Sequence, residues 1–425
     1  MELQPATVCA QHRPMKKLFL VLLPAIAGAA QISTTPPADA AKWRTVQLTP
    51  HFWAEGATVA DVNHDGQPDV LSGPFWYAGP DFKIVHSIYQ ADNSFTNSGG
   101  EKIPGFEGAL GTKNTYSETF ITAARDLNGD GWTDYLVVGF PGKESLWWEN
   151  PAGRDEPWKS HVILKDTSNE SPAFIDITGD GQPELLCMSG GTIGYATLDP
   201  KHPNNEWQWH AVSAENKDAY QRFTHGIGAG DINGDGRIDI LEQNGWWEQP
   251  ADLATGTPWK RHDVAFGPGG AQMYGYDVNA DGRTDVVTSL EAHGYGLAWF
   301  EQTAEGIWNP HLLTDTPDQK GETGVTFTQP HAIKLTDING DGLKDIVTGK
   351  RFWVHGSNGD AKPDATPVIY WFELKREAGK AAFVPHLIDD NSGIGTQLEI
   401  ADLNQDGKPD TVVANKRGVF VSYQP

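Results

Sequence analysis

Short apolar runs such as Leu185-Leu186 and Ile240-Leu241 recur along this chain between polar, glycine-rich loops. No long stretch repeats its apolar residues at the helical period, so the pattern predicts many short strands and an all-β fold. Before each run stands the same nine-residue phrase, Asp-x-Asn-x-Asp-Gly-x-x-Asp, with one imperfect copy. The copies begin at Asp61, Asp126, Asp176, Asp231, Asp277, Asp337 and Asp402. Their spacings of 65, 50, 55, 46, 60 and 65 residues are too wide for small helical repeats. They suit one four-stranded blade of a β-propeller per copy.

Each unit carries the same parts in the same order. In the fourth, His225–Gly230 reads as a first strand and Asp231–Asp239 as the loop. Ile240-Leu241, Gly245–Pro250 and Trp259–Val264 read as second, third and outer strands. The outer strand has its own mark, an aromatic followed three or four residues later by His. It appears as Phe82/His86, Trp158/His161, Trp207/His210, Trp259/His262, Trp308/His311 and Phe383/His386. These histidines are expected to be structural groups hydrogen-bonded between blades. The last unit ends at its third strand, Gly418–Tyr423, while Trp43–Leu48 precedes the first loop as an unclaimed outer strand. A seven-bladed propeller closed by Trp43–Leu48 uses both and leaves no open edge.

Composition changes the picture in three places. The net charge of −24 argues against a nucleic-acid partner, although the seven loops hold 21 of the 56 acidic residues. Seven Ca²⁺ ions would bring the charge to roughly −10, and without metal the clustered carboxylates repel, so the metal-free form should be destabilised. Residues 1–30 read as a signal peptide, with Lys16-Lys17, the apolar run Leu18–Ala27 and small residues after it; Met15 is a candidate start. That run is short for a membrane span. Residues 31–42 read as a linker and 43–425 as the propeller, which implies a secreted or periplasmic protein. Cys187, beside Leu185-Leu186, reads as a buried small hydrophobe, and no disulfide framework is available to the mature chain.

The repeated loop followed by an apolar strand resembles the FG-GAP/VCBS repeat propellers, the fold that also forms the head of integrin α chains. The resemblance covers residues 43–425 and implies structural Ca²⁺ in each loop. Its ligands would be Asp61, Asn63, Asp65 and Asp69 with the Gln67 carbonyl in the first copy. The corresponding sets are Asp126, Asn128, Asp130, Asp134; Asp176, Thr178, Asp180, Glu184; Asp231, Asn233, Asp235, Asp239; Asp277, Asn279, Asp281, Asp285; Asp337, Asn339, Asp341, Asp345; and Asp402, Asn404, Asp406, Asp410. Thr178 and Glu184 depart from the pattern, so the third site should be the weakest. An EF-hand is the rival reading, but of the twelfth loop positions only Glu242 is the required Glu, and strand-like residues follow the loops.

In such a blade the metal loops join strands one and two, away from the usual ligand face. That face takes the residues entering each first strand: Glu55, Glu170, His225, Gln272, His331 and Gln397, with Glu118 near the second unit. It also takes the connections between strands two and three, with His293, Lys350, Arg351, His355, Lys416 and Arg417. Imidazoles with carboxylate partners suit one Zn²⁺ or Mn²⁺, and the basic groups suit an oxygen-rich or anionic ligand. His225, His331, His293, Glu170, Arg351 and Lys350 are the candidate catalytic groups. Glu55, Glu118, Gln272, Gln397, His355, Lys416 and Arg417 form the candidate rim. Some carbohydrate lyases and keto-sugar dehydratases are similar in architecture, with a His-held metal on this face. The expectation is a secreted, calcium-stabilised propeller acting as a metal-assisted lyase or dehydratase on a sugar. The alternative is a non-catalytic propeller that binds a glycan, peptide or partner protein. The pairs Trp147-Trp148, Trp246-Trp247 and Trp299-Phe300 offer sugar platforms, but strand alternation turns at least one of each into the packing.

Overall fold

The computed structural model describes residues 42–92, 94–96, 100–104, 115–357, 359–377 and 380–425; the signal peptide expected at 1–30 and nearly all of the linker expected at 31–42 lie outside them. The described residues are all-β except for one 3₁₀ turn, Leu253–Thr255. None of their helices is long and apolar enough to cross a membrane.

The fourth unit shows the local logic. Ile227–Gly230, Asp239–Glu242, Gly245–Glu248 and Lys260–Asp263 form an antiparallel meander. Its first strand also runs parallel to Gln272–Tyr276, the first strand of the next unit. That approach requires glycine, because a Cβ on Gly228 would stand 1.8 Å from the Met273 carbonyl oxygen. The loop turns at a glycine with φ between +83° and +89° in all seven copies, conformations that strain any other residue. The amide of this glycine donates to the loop's first Asp every time.

Six further units repeat this order. The first comprises Thr58–Ala60, Asp69–Ser72, Phe75–Ala78 and Ile84–Ser87. The second and third share the long strand Lys159–Ile175, which closes one sheet and opens the next. The fifth runs from Gln272–Tyr276 to Trp308–Leu312, and the sixth from Ile333–Thr336 to Lys380–Asp389. In the last sheet Arg44–Thr49 pairs antiparallel with Gly418–Tyr423, beyond Asp410–Asn415 and Leu398–Ala401. A short hairpin, Ser94–Thr96 with Lys102–Pro104, stands apart from these sheets and has no counterpart in the sequence reading.

The core is divided rather than central. Apolar clusters fill the spaces between neighbouring sheets; in one of them Leu186, Ile193 and Tyr195 pack with Ile240 and Trp247. Another joins Val70 and Tyr77 of the first unit to Val412 and Val421 of the last. Each such side chain contributes about 1.5–3 kcal/mol on burial. Trp147, Trp246, Trp247, Trp299 and Phe300 are all buried here, and Trp148 stacks on Tyr89, so these residues pack between sheets.

The outer-strand histidines differ from expectation. Each of His86, His161, His210, His262, His311 and His386 stacks on an aromatic of the third strand in its own sheet, as His262 does on Trp246 at 3.9 Å. Four of them also meet a Glu two residues beyond that aromatic, for example His262 and Glu248 at 2.8 Å. They are within-sheet groups because strand pairing places them directly opposite the ring. Lacing between units falls instead to a residue at the end of the third strand or directly after it. Asn150, Gln249, Gln302 and Gln424 donate a side-chain N–H to the Val62, Ile177, Ile232 and Ile338 carbonyls of the preceding unit's loop.

Candidate metal centre

Four chain segments deliver side chains to one point. Glu170 sits where strand pairing slips between Ser168/Met188 and Ala173/Leu186, next to Asn169 at φ +80°. This irregularity turns the strand from the edge of one sheet to the start of the next, and the Glu170 amide is tied to the Thr224 carbonyl at 2.9 Å. That tie sets Glu170 beside His225. His331 follows Gln329 and Pro330, with its amide on the Gln329 carbonyl. His293 lies in the connection between Asp285–Ser289 and Leu297–Gln302.

Their donor atoms converge. His225 Nε2 is 3.2 Å from His331 Nε2, 3.1 Å from His293 Nε2 and 3.5 Å from Glu170 Oε2. His331 Nε2 is 3.2 Å from the same Glu170 oxygen, and all four atoms lie within 4.8 Å of one another. Donors about 2.0–2.1 Å from one tetrahedral ion stand about 3.3–3.4 Å apart, which these separations bracket. His225 Nε2 touches the other two imidazole nitrogens, and the three cannot all carry protons without opposing N–H groups; a cation satisfies all three lone pairs. Burial, reinforced by Arg351, holds the His331 pKa well below the ordinary imidazole value, and burial also lowers His293. Burial alone would raise Glu170, but hydrogen bonds from His225 and His331 outweigh it and keep the carboxylate ionised. Neutral imidazole and ionised carboxylate are the states a metal ion takes. The residues present therefore fit a Zn²⁺- or Mn²⁺-type ion.

Beyond this cluster Asp360 serves two imidazoles. Its Oδ1 is 2.9 Å from His355 Nδ1 and 3.4 Å from His293 Nδ1. The sequence reading missed Asp360; the long connection between Asp345–Gly349 and Ile369–Glu377 that carries it was the available signal. The cluster opens on a cavity of about 1000 Å³ whose walls include Phe95, Tyr116, Phe120, Phe140 and Phe223, with Arg351 and His355 beside the imidazoles. Phe95 comes from the extra hairpin and packs tilted against Phe140, which makes edge contacts with Tyr116, Phe120 and Phe223.

The other candidate residues divide between this cavity and the scaffold. Glu118 lines the cavity, exposed. Glu55 is buried against Arg351. Lys350 is buried with Nζ on Thr328 Oγ1 at 3.1 Å, and Lys416 donates to the Val354 carbonyl at 2.6 Å. Burial lowers Lys350 to about 8 and Lys416 to about 7. Gln272 and Gln397 are not at the rim. They tie first strands together across a channel of about 350 Å³, Gln272 to Thr396 and Ile333, Gln397 to both backbone groups of Thr122. Arg417 bonds Asn391 and lies over Phe352, lining a different recess.

In six loops the last Asp is fully buried, and each oxygen accepts one backbone N–H. For Asp345 the donors are Ile338 at 3.0 Å and Leu374 at 2.8 Å. A carboxylate oxygen has a second lone pair, so these contacts leave room for a cation. Burial, then the neighbouring loop carboxylates, pushes Asp69, Asp239 and Asp285 up to about 6 and Asp134 up to about 7. Crowded hard oxygens with no neutralising charge are a donor set that fits Ca²⁺. In the third loop Thr178 Oγ1 is spent on Glu184 at 3.1 Å.

Residues 126–187 match the family model of the FG-GAP-like repeat. No curated protein sequence matches the chain. Among solved structures, a lectin of Agrocybe aegerita that recognises non-reducing terminal N-acetylglucosamine is 16% identical, with 85% of each chain covered and a TM-score of 0.45. The rhamnogalacturonan lyase YesW is 12% identical over 92% of this chain and 75% of its own, with a TM-score of 0.41. The V. cholerae biofilm matrix protein Bap1 is 13% identical over 87% and 76%, with a TM-score of 0.34.

Proposed function

We propose that this chain is an exported seven-bladed propeller, its ring closed by Arg44–Thr49 and its Asp-rich loops holding structural Ca²⁺. On the opposite face His225, His293, His331 and Glu170 hold one Zn²⁺ or Mn²⁺, and the cavity above them is the active site of a carbon–oxygen lyase or dehydratase acting on a sugar. The convergence of three Nε2 atoms and one carboxylate oxygen within 4.8 Å of one another, four of their separations at 3.1–3.5 Å, carries this reading. Such an ion supplies Lewis-acid polarisation of a substrate oxygen.

The chain's own residues do the rest. His355 is fixed through Nδ1 by Asp360 and faces the cavity, so its Nε2 takes the proton from the carbon next to the polarised group. The C–H electrons form the new C=C bond as the β carbon–oxygen bond breaks. Tyr116, whose hydroxyl burial pushes up to about 12, stays protonated and returns a proton to the leaving oxygen. The aromatic wall excludes water and offers ring faces to a sugar.

Elemental analysis of tag-free protein purified without chelator tests the centre. About one Zn²⁺ or Mn²⁺ beside several Ca²⁺ is expected, lost in the His225→Ala/His331→Ala variant while the fold remains. An ultraviolet screen for unsaturated sugar products tests the reaction. Calcium alone, with glycan binding indifferent to transition-metal chelators, would replace the enzyme by a binding module.

A further inference from the structure

Arg351 is the feature of the cavity that the metal-centre reading leaves unexplained. Its side chain is 2% exposed, and Nη2 donates to Glu55 Oε2. Nε and Nη1 make no hydrogen bond, nor does Glu55 Oε1. Nη1 stands 3.8 Å from Glu170 Oε2, beyond hydrogen-bond reach. A guanidinium has five donors in a planar fork, and burying it with donors unmade is costly unless a partner arrives. If Arg351 served only to neutralise Glu55, leaving both Nε and Nη1 without a partner beside a cavity would be a poor way to do it. Cδ stands between Nε and Nη1, so the two cannot grip one carboxylate together; Nη1, on the side of Glu170, is the donor that can take a carboxylate oxygen.

The surrounding charge agrees. Lys143 and Arg222 are exposed at the cavity wall, and Lys350 and Lys416 lie behind it near Asp360. The acidic groups around the same space are Glu55, Glu118, Glu170 and Asp360. A divalent ion added to this set leaves the site cationic in a chain whose net charge is −24. A neutral sugar would leave that local charge unbalanced.

Resting on the proposed function, we infer that the sugar taken into this cavity is a uronic acid, its carboxylate seated on Nη1 of Arg351 next to the four-donor cluster. The carboxylate then lies where its α carbon is next to the proton-taking His355, and the acid group is the one whose oxygen is polarised. Arg351 is a specificity-determining residue that contacts substrate. Phe120, whose ring lies 5.9 Å from the guanidinium carbon, and Phe140 give the sugar ring its apolar wall.

The test is calorimetric binding of methyl hexuronosides of gluco, galacto and manno configuration, each paired with its neutral methyl ester, to metal-loaded full-length protein. At least one acid should bind about tenfold or more tighter than its ester. Arg351→Gln, with metal content and melting temperature checked in the same sample, should remove that preference. Equal binding of acid and ester across the panel, or no binding of any acid, overturns the inference, as does a preference that survives Arg351→Gln. If that variant does not fold, Arg351→Lys keeps the charge without the fork, and the acid-to-ester ratio of the wild type decides by itself. Metal counts separate the two readings. Protein that holds no transition metal refutes the proposed centre, while its acid-to-ester ratio still reports on Arg351.

Discussion

Replacing Asp345 by Asn in metal-free protein should destabilise the fold in mild acid and cost little or nothing in mild base. Asp345 is fully buried, and its two oxygens each accept one backbone N–H. Burial, helped by Asp341 and Glu373 but opposed by those two N–H groups, pushes its carboxyl up to about 7. Between 3.8 and about 7 the folded chain binds more protons than the unfolded chain. This group's contribution is therefore fully present below 3.8, is lost progressively as pH rises from there, and is gone above about 7. The full difference corresponds to about 4 kcal/mol; the loop mouth is open to water, and relaxation there reduces it to about 2 kcal/mol. At pH 4, close to the unfolded value, the folded group is neutral and little of the difference has been lost, so Asn gains almost nothing by being uncharged. Its amide end faces one of the two N–H donors, a loss of about 1–3 kcal/mol. At pH 8 the wild type carries the cost of the buried charge and the penalty vanishes or reverses. Urea unfolding of both proteins in EGTA at the two pH values measures this, and comparing the pair cancels the opposing titration of His293 and His331. With Ca²⁺ restored at pH 8 the penalty should return. An equal penalty at both pH values in EGTA would refute the reasoning.

Two further substitutions probe other parts of the molecule. Gln249→Ala removes bonds of 2.8 and 3.0 Å to the Ile177 and Ile238 carbonyls and orphans both. It should cost about 2–3 kcal/mol in chemical unfolding, and a change below the error of the fit would mean that the units are not laced there. Asp360→Asn should weaken transition-metal affinity about tenfold, the low end for a ligand-orienting carboxylate, because the His293 contact is long at 3.4 Å. Competition against a colorimetric chelator reads it, and unchanged affinity would confine Asp360 to His355.

Much of the candidate site could be located from the spacing of residues along the chain. His225 and His331 each stand six residues before a loop's first Asp, and Glu170 does the same in the third unit. A shared distance to a repeated turn puts them at equivalent points of equivalent units, so one pattern places three residues of the four-donor cluster. Gln272 and Gln397 stand five residues before theirs. That one-residue difference puts Gln272 at the start of its strand and Gln397 directly before Leu398, where its own strand begins, and their amides serve the channel. The histidines of the outer strands were legible as structural, but their partners were not, since pairing direction decides which ring a strand residue meets.

Local rules were enough for what repeats: the short strands, the glycine that must sit at φ above +80°, and the loop oxygens that alternate along a tight turn. These depend on residues within nine positions of one another, and seven copies make each legible. Tertiary structure alone decided what does not repeat. Arg351 meets Glu55 across 296 positions, His331 meets Glu170 across 161, and Asp360 reaches His293 from a connection with no counterpart in the other units. No period encodes such pairs. They exist because neighbouring sheets bury their apolar faces against one another and thereby bring the unlike connections of different units to one face.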